Sequence, residues 1–416
     1  MKKIISLLAI SSFLFATNEY TDFQNQFNQY IKTTNKQYVN YQKELNNGFR
    51  QYKEALNKGF ELYKKSLSKY WKNPELSTKT TFVEYSKDKK VKNKVDYKNN
   101  YIQIDVIAKN EVDAKKEMAK SLYKLSTENT QTAFNKNPVL RVVNKELKNK
   151  YVNMVKTTPP SKEPIVADMI FKKPPTQKEV IKYALTNVKT HQIKTEPAKV
   201  PDMKVYSIKI PLPPKSYLRK AKIYKNEVFK RADQFKLTPE FIYAIIQTES
   251  AFNPMARSYI PAFGLMQIVP SSAGADAYKM LTGQKKILSP SYLYNANNNI
   301  LIGSAYLKKI YYGYMRKIKD PMSRLYCTIA AYNTGAGNVA CAFNSHSKDS
   351  NGRTICRRSR GDYNILKAST KINQMSSNEV YNHLLKNLRY DEPKNYLRRV
   401  SKRLYIYKKA INTNAL

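Results

Sequence analysis

Residues 238–270, TPEFIYAIIQTESAFNPMARSYIPAFGLMQIVP, decide how the C-terminal half of the chain is read. Thr238 is a helix-capping type, Pro239 fits a first helical turn, and Glu240 suits the positive end of a helix dipole. Ile242, Ile245, Ile246 and Glu249 recur at helical spacing, which predicts an amphipathic helix whose apolar stripe ends in one carboxylate. Asn253-Pro254 stops it, because the residue before a proline is pushed out of helical geometry. A lone carboxylate in such a stripe loses hydration, so its charged form is disfavoured and its pKa rises toward the range of a general acid. A surface glutamate at a helix end is the plainer alternative.

The chain has 416 residues, enough for two or three domains, and its 42% hydrophobic content permits real cores. Charge is the outlier, with 74 Lys+Arg against 31 Asp+Glu and a net +43. Such a chain adheres to polyanions, whether nucleic acid, anionic lipid or anionic cell-wall polymer. The start, MKKIISLLAISSFLFA, has two lysines followed by a short apolar run and reads as a secretory signal peptide over 1–16. No cysteine stands near the cut, so no lipid-attachment site is read there. Export places the protein in the periplasm or cell envelope and, with no recognisable nucleic-acid motif, argues against nucleic acid as partner. It also permits a disulfide, and Cys341 and Cys356, which bracket a polar loop, are the natural pair. Cys327 lies in an apolar helical stretch and is expected to be a buried thiol. No metal site and no cofactor is read, since the cysteines are far apart and His346 is the only imidazole near them.

Four regions follow: the leader 1–16, a helical arm 17–75, a small α+β domain 76–214 and an all-α region 215–416. In the arm, Tyr41, Tyr52 and Tyr63 recur every eleven residues, as do Leu45, Leu56 and Leu67, and Phe49, Phe60 and Trp71. That period gives a nearly straight stripe. Gly48 and Gly59 beside it predict close approach of another backbone, and Asn73-Pro74 is the expected end. TKTTFVEYS, KVKNKVDY and YIQIDVI read as strands, a polar helix spans 110–126, and KVYSIKIP (204–211) reads as a strand returning to the same sheet. The Lys- and Pro-rich stretch between them reads as weakly helical pieces. Neither arm nor α+β domain offers chemistry, so they are expected to set placement or partners, and a chain starting near Lys215 is expected to remain active. Beyond Leu218 helices are predicted over 219–235, 239–250, 271–281, 295–319, 322–332, 376–387 and 393–411.

Between Glu240 and Asn344 the carboxylates are Glu240, Glu249, Asp276 and Asp320, and only Glu249 is well placed. A conventional glycosidase needs two carboxylates flanking the scissile bond. Glu249-Ser250-Ala251-Phe252-Asn253-Pro254, Ser258, Gly264-Leu265-Met266-Gln267-Ile268 and Ala331-Tyr332-Asn333-Thr334-Gly335-Ala336-Gly337 resemble, in this order, the soluble lytic transglycosylase family of murein-cleaving enzymes. Tyr390-Asp391-Glu392-Pro393 with Tyr396 resembles the family's closing block, although the usual Glu-Thr-Arg run reads Glu392-Pro393-Lys394. One branch of the family, which carries an α+β domain before the catalytic one, shares the lead-in over 204–217 and details over 289–299, 378–385 and 396–400. That branch normally has a lipidated cysteine, which is lacking here, and the loop between Cys341 and Cys356 looks like an insertion.

The resemblance implies a lysozyme-like all-α catalytic domain, within a mainly α protein. It implies that Glu249 donates a proton and then takes one back while the bond between N-acetylmuramic acid and N-acetylglucosamine is broken without water. It further implies that Ser258 orients Glu249, that Gln267 and Asn333 hold sugar groups, that Tyr332 sits at the reacting centre with Tyr396 in the site, and that Leu265 and Met266 form an apolar wall. Ser258 could simply cap a turn, Met266 could be packing, and Tyr332 and Tyr396 could be core. Peptidoglycan glycan strands are the implied partner, with an anionic membrane surface or cell-wall machinery explaining the charge. Two rivals stay open: a goose-type lysozyme-like hydrolase of the same bond, for which Asp276 is the candidate water activator, and a non-catalytic cell-wall-binding scaffold.

Overall fold

The computed structural model of the chain describes residues 17–147, 155, 158–259 and 261–416. The leader read over 1–16 lies outside them, as does part of the Lys- and Pro-rich stretch. A helix spans Thr17–Leu67 and stops short of Asn73-Pro74. Its early end has a packing cause: Leu67 and Trp71 turn into a small core with Tyr85, Ile107 and Val205, and the Trp71 indole donates to the Lys89 carbonyl at 2.7 Å. The eleven-residue stripe is buried at Tyr52, Leu56 and Leu67, while Phe60 and Tyr63 pack against the core. Gly59 makes the predicted close approach, since a Cβ there would meet the Val139 backbone oxygen at 3.0 Å, in the helix Pro138–Leu147. The side chains of Tyr41 and Leu45 are outside the description.

Five antiparallel strands follow, β1 (Thr81–Tyr85), β2 (Val91–Asp96), β3 (Tyr101–Ala108), β4 (Lys194–Pro197) and β5 (Lys204–Pro211), in the order β1-β2-β3-β5-β4. β3 is central and contributes Ile102, Ile104 and Val106, all fully buried. KVYSIKIP does return to this sheet, with Ile104 opposite Ile208. The helix Glu111–Thr127 covers one face through Met118 and Leu122. β4 was not read from sequence, because its residues KTEP are all exposed and an exposed edge strand carries no alternating signal.

In the C-terminal region the helix Pro239–Ser250 is central. The one-sided stripe expected of it is corrected: Phe241, Tyr243 and Ala244 are as buried as Ile242, Ile245 and Ile246. A helix apolar all round belongs in a domain interior. Thr238 stands at the cap position but makes no side-chain cap bond. The helix Asp391–Asn412 runs along it, with Tyr243 stacked on Tyr407 at 5.1 Å. The predicted helix 219–235 breaks at Tyr224, and 295–319 becomes Ala296–Lys308 followed by a wide turn over Lys309–Tyr314. The helices Pro290–Leu293, Ala336–Asn344 and Ile365–Ile372 were not predicted. Cys341 and Cys356 form a disulfide with Cα atoms 5.8 Å apart, and Cys327 is a buried free thiol whose pKa burial pushes up.

The N-terminal regions, expected to be dispensable for cleavage, share one continuous core with the C-terminal region, running from Tyr52 through the sheet to Tyr407. Tyr52 meets Phe263 edge-on at 6.2 Å, and the Arg257 guanidinium lies over the Phe60 ring at 3.5 Å. Lys220, with no exposed surface, pairs with Asp168 at 3.0 Å and also donates to the carbonyls of Pro164 and Ile165. Removing one partner of such a buried pair costs roughly 3–5 kcal/mol. A chain beginning at Lys215 is therefore expected to lose cooperative thermal unfolding and murein cleavage together. A sharp unfolding transition with full activity in that truncation would show the N-terminal regions to be dispensable.

Candidate active site

Glu249 sits in the last turn of Pro239–Ser250 and is 9% exposed. The helix is closed by Ala251 and Phe252, both left-handed, with φ of 51° and 64°. Two consecutive left-handed non-glycine residues cost on the order of 1–3 kcal/mol each. Several bonds offset that cost: the Ser250 hydroxyl accepts from the Phe252 N–H at 3.1 Å, and the Asn253 carboxamide oxygen accepts from the Met255 N–H at 3.0 Å. Asn253 is fully buried and its amide donates to the Thr78 carbonyl at 3.3 Å, which brings the segment before β1 to the site.

The Tyr396 hydroxyl, from the helix Asp391–Asn412, acts on the Glu249 carboxyl as a hydrogen-bonding group and favours its charged form. Burial outweighs this and lifts the Glu249 pKa to about 7. Lys79 and Arg399 pull it down and Glu392 pushes it up, all more weakly than burial. Burial also drives the Tyr332 and Tyr396 phenols well above their usual range, and the charge of Glu249 adds to both shifts. Two tyrosines thus flank the acid. Asp276 is bound to Lys309 at 2.8 Å and to Lys285 at 3.5 Å and does not act on Glu249.

The Gly264–Gln267 turn supplies the neighbouring polar groups. Gly264 has φ +74°, and a Cβ there would strike the Asn299 amide nitrogen at 2.3 Å. Gln267 is left-handed as well; its amide donates to the Gly264 carbonyl at 3.0 Å, and its buried carboxamide oxygen has no partner. That orphaned acceptor suits a ligand N–H or O–H. Tyr332 donates its hydroxyl proton to the Met266 carbonyl at 2.8 Å, so it braces this turn beside the acid. Asn333 is half-buried. The Ser258 hydroxyl accepts from the Ala262 N–H at 3.2 Å, shaping the preceding loop. Leu265 and Met266 are 1% and 0% exposed, with Met266 packed against Gly303, so both side chains face inward.

Sequence reasoning missed the residue that fixes the turn. Asn299, fully buried in the helix Ala296–Lys308, accepts from the Met266 N–H at 2.8 Å and donates to the carbonyls of Phe263 at 2.9 Å and Leu293 at 2.8 Å. The signal was present: a polar residue followed by Ile300 and Ile302 on a buried helix needs partners.

Residues 226–354 match the family model of the Transglycosylase SLT domain. The curated relatives that this region matches are proteins named membrane-bound lytic murein transglycosylase C. The protein of that name from Sodalis glossinidius is 38% identical over 197 residues, 47% of this chain and 50% of the relative. That from Serratia proteamaculans is 42% identical over 141 residues, 34% and 39% of the two chains. The chain spans about half the length of the curated relatives it matches. A solved structure, the 70 kDa soluble lytic transglycosylase of Escherichia coli, is 15% identical, covers 72% of this chain and 44% of that one, and has a TM-score of 0.31.

Two outcomes follow from this geometry. Asn299→Ala leaves one N–H and two carbonyls unpaired and should destabilise the protein by about 3 kcal/mol; an unchanged denaturation midpoint would contradict the role given to Asn299. Glu249 binds its proton more tightly folded than unfolded, so its stabilising contribution is complete below pH ~4.5 and is lost as pH rises through about 7. Glu249→Gln removes this titration. Its stability relative to wild type should therefore grow between those pH values by about 3 kcal/mol and then level off. A stability difference independent of pH would show the carboxyl to be unperturbed.

Proposed function

We propose that the protein is a murein lytic transglycosylase that cleaves the β-1,4 bond between N-acetylmuramic acid and N-acetylglucosamine, leaving a 1,6-anhydromuramoyl end. The observation that carries this reading is a buried carboxyl with a pKa of about 7, flanked by Tyr332 and Tyr396, while the other carboxylate acting on it, Glu392, is paired with Arg399 at 3.4 Å. Protonated Glu249 gives its proton to the glycosidic oxygen as the bond from C1 to that oxygen breaks. The carboxylate left behind accepts the proton of the muramoyl O6, and O6 closes on C1, so no water is consumed. Lys79 and Arg399 favour the transient carboxylate without pairing to it directly. Gln267, through its free carboxamide oxygen, and Asn333 are proposed to hold sugar amide and hydroxyl groups, and Ser258 to keep the loop after Glu249 in place. Leu265 and Met266 act from inside, by fixing the backbone of the turn.

Support from the comparisons is that the matched relatives are named for murein transglycosylase activity. The leader-like start and the +43 charge fit an exported protein working on an anionic wall polymer or beside an anionic membrane surface. Among the described residues no helix is long and apolar enough to cross a membrane.

Mass spectrometry of digested peptidoglycan tests the reading. Anhydromuramoyl products are expected from the wild type, and Glu249→Gln should lower turnover by at least about 10³-fold while glycan binding persists. Hydrated reducing ends would assign the protein to the lysozyme-like hydrolases instead. No cleavage by either form would make it a scaffold.

A further inference from the structure

The loop between Cys341 and Cys356, which reads from sequence as an insertion, takes no part in the chemistry proposed above. Its composition is unusual for this chain. Lysines outnumber arginines 59 to 15, yet Arg353, Arg357, Arg358 and Arg360 fall within eight residues. All four are exposed, and none forms an ion pair among the described residues. Arg360 donates to the Ser347 hydroxyl at 3.1 Å.

The acids of this segment are engaged elsewhere. Asp349 accepts from the Asn351 and Arg353 N–H groups at 2.9 and 2.8 Å, and the buried Asp362 accepts from the Arg357 N–H at 2.8 Å. Lys348, the remaining cation of the loop, donates to the Thr354 hydroxyl at 2.8 Å and the Asn387 carboxamide oxygen at 3.0 Å. The surroundings are positive as well. His383 is held below its usual pKa range, mainly by burial, and the charges acting on it are those of Lys371, Lys348 and Lys386.

The backbone under the arginines is pinned. The Cys341–Cys356 disulfide closes the loop, the Ser345 hydroxyl donates to the Ile355 carbonyl, and the Thr354 hydroxyl donates to the Asn387 carbonyl at 2.7 Å. The Asn344 amide donates to the carbonyls of Asp362 and Asn364 at 3.1 and 2.9 Å. Tyr363 then lies on Gly337, where a Cβ would meet its ring at 3.1 Å. Gly337 stands four residues after Asn333, so the arginine-bearing segment borders the turn that leaves the candidate active site.

A guanidinium offers a planar fork of N–H donors that grips a carboxylate or phosphate through two parallel bonds, which an ammonium cannot do. Holding such forks on a fixed backbone lowers the ordering cost of binding. Position separates the two anions. Beside Asn333, the acidic groups that arrive with every bound strand are carboxylates of the substrate itself. We propose that Arg353, Arg357, Arg358 and Arg360 form a carboxylate-binding arm that holds the peptide stems of the murein strand lying across Tyr332 and Asn333. The identification of the ligand rests on the function proposed above.

Calorimetric titration of the full chain carrying Glu249→Gln, so that strands stay intact, tests this with three soluble glycans: strands bearing stems, strands stripped of stems, and strands whose stem carboxylates are amidated. Stem-bearing strands should bind about tenfold more tightly than either of the others, the scale of a few exposed carboxylate pairs, and the margin should shrink as salt rises. Replacing the four arginines together with Gln should abolish the margin while leaving stripped strands bound as before. Replacing them with Lys should restore only part of it. Equal affinity for stem-bearing and amidated strands, a comparison that needs no arginine variant to fold, would overturn the proposal. So would a margin that survives the Gln substitutions. Phosphatidylglycerol vesicles form the phosphate arm: vesicle binding that depends on the arginines, with no preference for stems, would assign the loop to a phosphate surface instead. Binding is read without turnover. A stem preference in a protein that yields no anhydromuramoyl ends refutes the proposed function alone, and anhydromuramoyl ends with no stem preference refute only this site.

Discussion

Burial of one carboxyl group, Glu249, strong enough to outweigh the Tyr396 hydroxyl that favours its charged form, is the constraint around which the C-terminal domain is arranged. Its helix is buried at every position from Phe241 to Ile246, so the carboxyl lies at the end of an interior helix. There the chain turns sharply through two left-handed residues, and the turn is held by Ser250 and Asn253. The Thr248 hydroxyl, one residue before the acid, donates to Ala244 at 2.6 Å and receives a bond from Arg403 at 2.7 Å, tying the helix to Asp391–Asn412. Strain and desolvation at the acid are thus balanced by packing at a distance from it, a pattern common where a site needs a perturbed proton affinity.

The polar face opposite the acid is built from backbone as much as from side chains. Asn299 and Tyr332 hold the Gly264–Gln267 turn from two helices, so the unpaired Gln267 carboxamide oxygen is positioned by groups that need touch no substrate. The N-terminal regions complete this arrangement. Thr78 accepts from Asn253, Lys79 acts on the acid, and the long helix places Phe60 under Arg257. The acid therefore depends electrostatically on a segment some 170 residues earlier in the chain, as the separation of 175 between Asn253 and Thr78 illustrates.

What was legible in the sequence was local. Glu249 at the end of an apolar run, the glycine-opened turn at Gly264, the strand alternation of KVYSIKIP and the Cys341–Cys356 bracket all declare themselves within a few residues. What was not legible depended on distant partners. The long helix ends at Leu67 because a core formed with Val205 captures its last residues, and nothing near Leu67 announces that. The edge strand KTEP has no buried side chain, and the fusion of arm, sheet and catalytic domain into one core follows from contacts such as Tyr52 with Phe263. Asn299 was visible but uninterpreted, since it is defined by the backbone groups it satisfies.

The account stands on the proton affinity of a single side chain in the folded protein. Carbon-13 NMR of glutamate-labelled protein, following the Glu249 carboxyl resonance against pH and assigned by its loss in Glu249→Gln, measures that affinity directly. A midpoint near 7 is expected from its burial. A midpoint near 4.5, the value of a freely hydrated glutamate, would mean that the carboxyl is solvated and that the proposed proton donor does not exist.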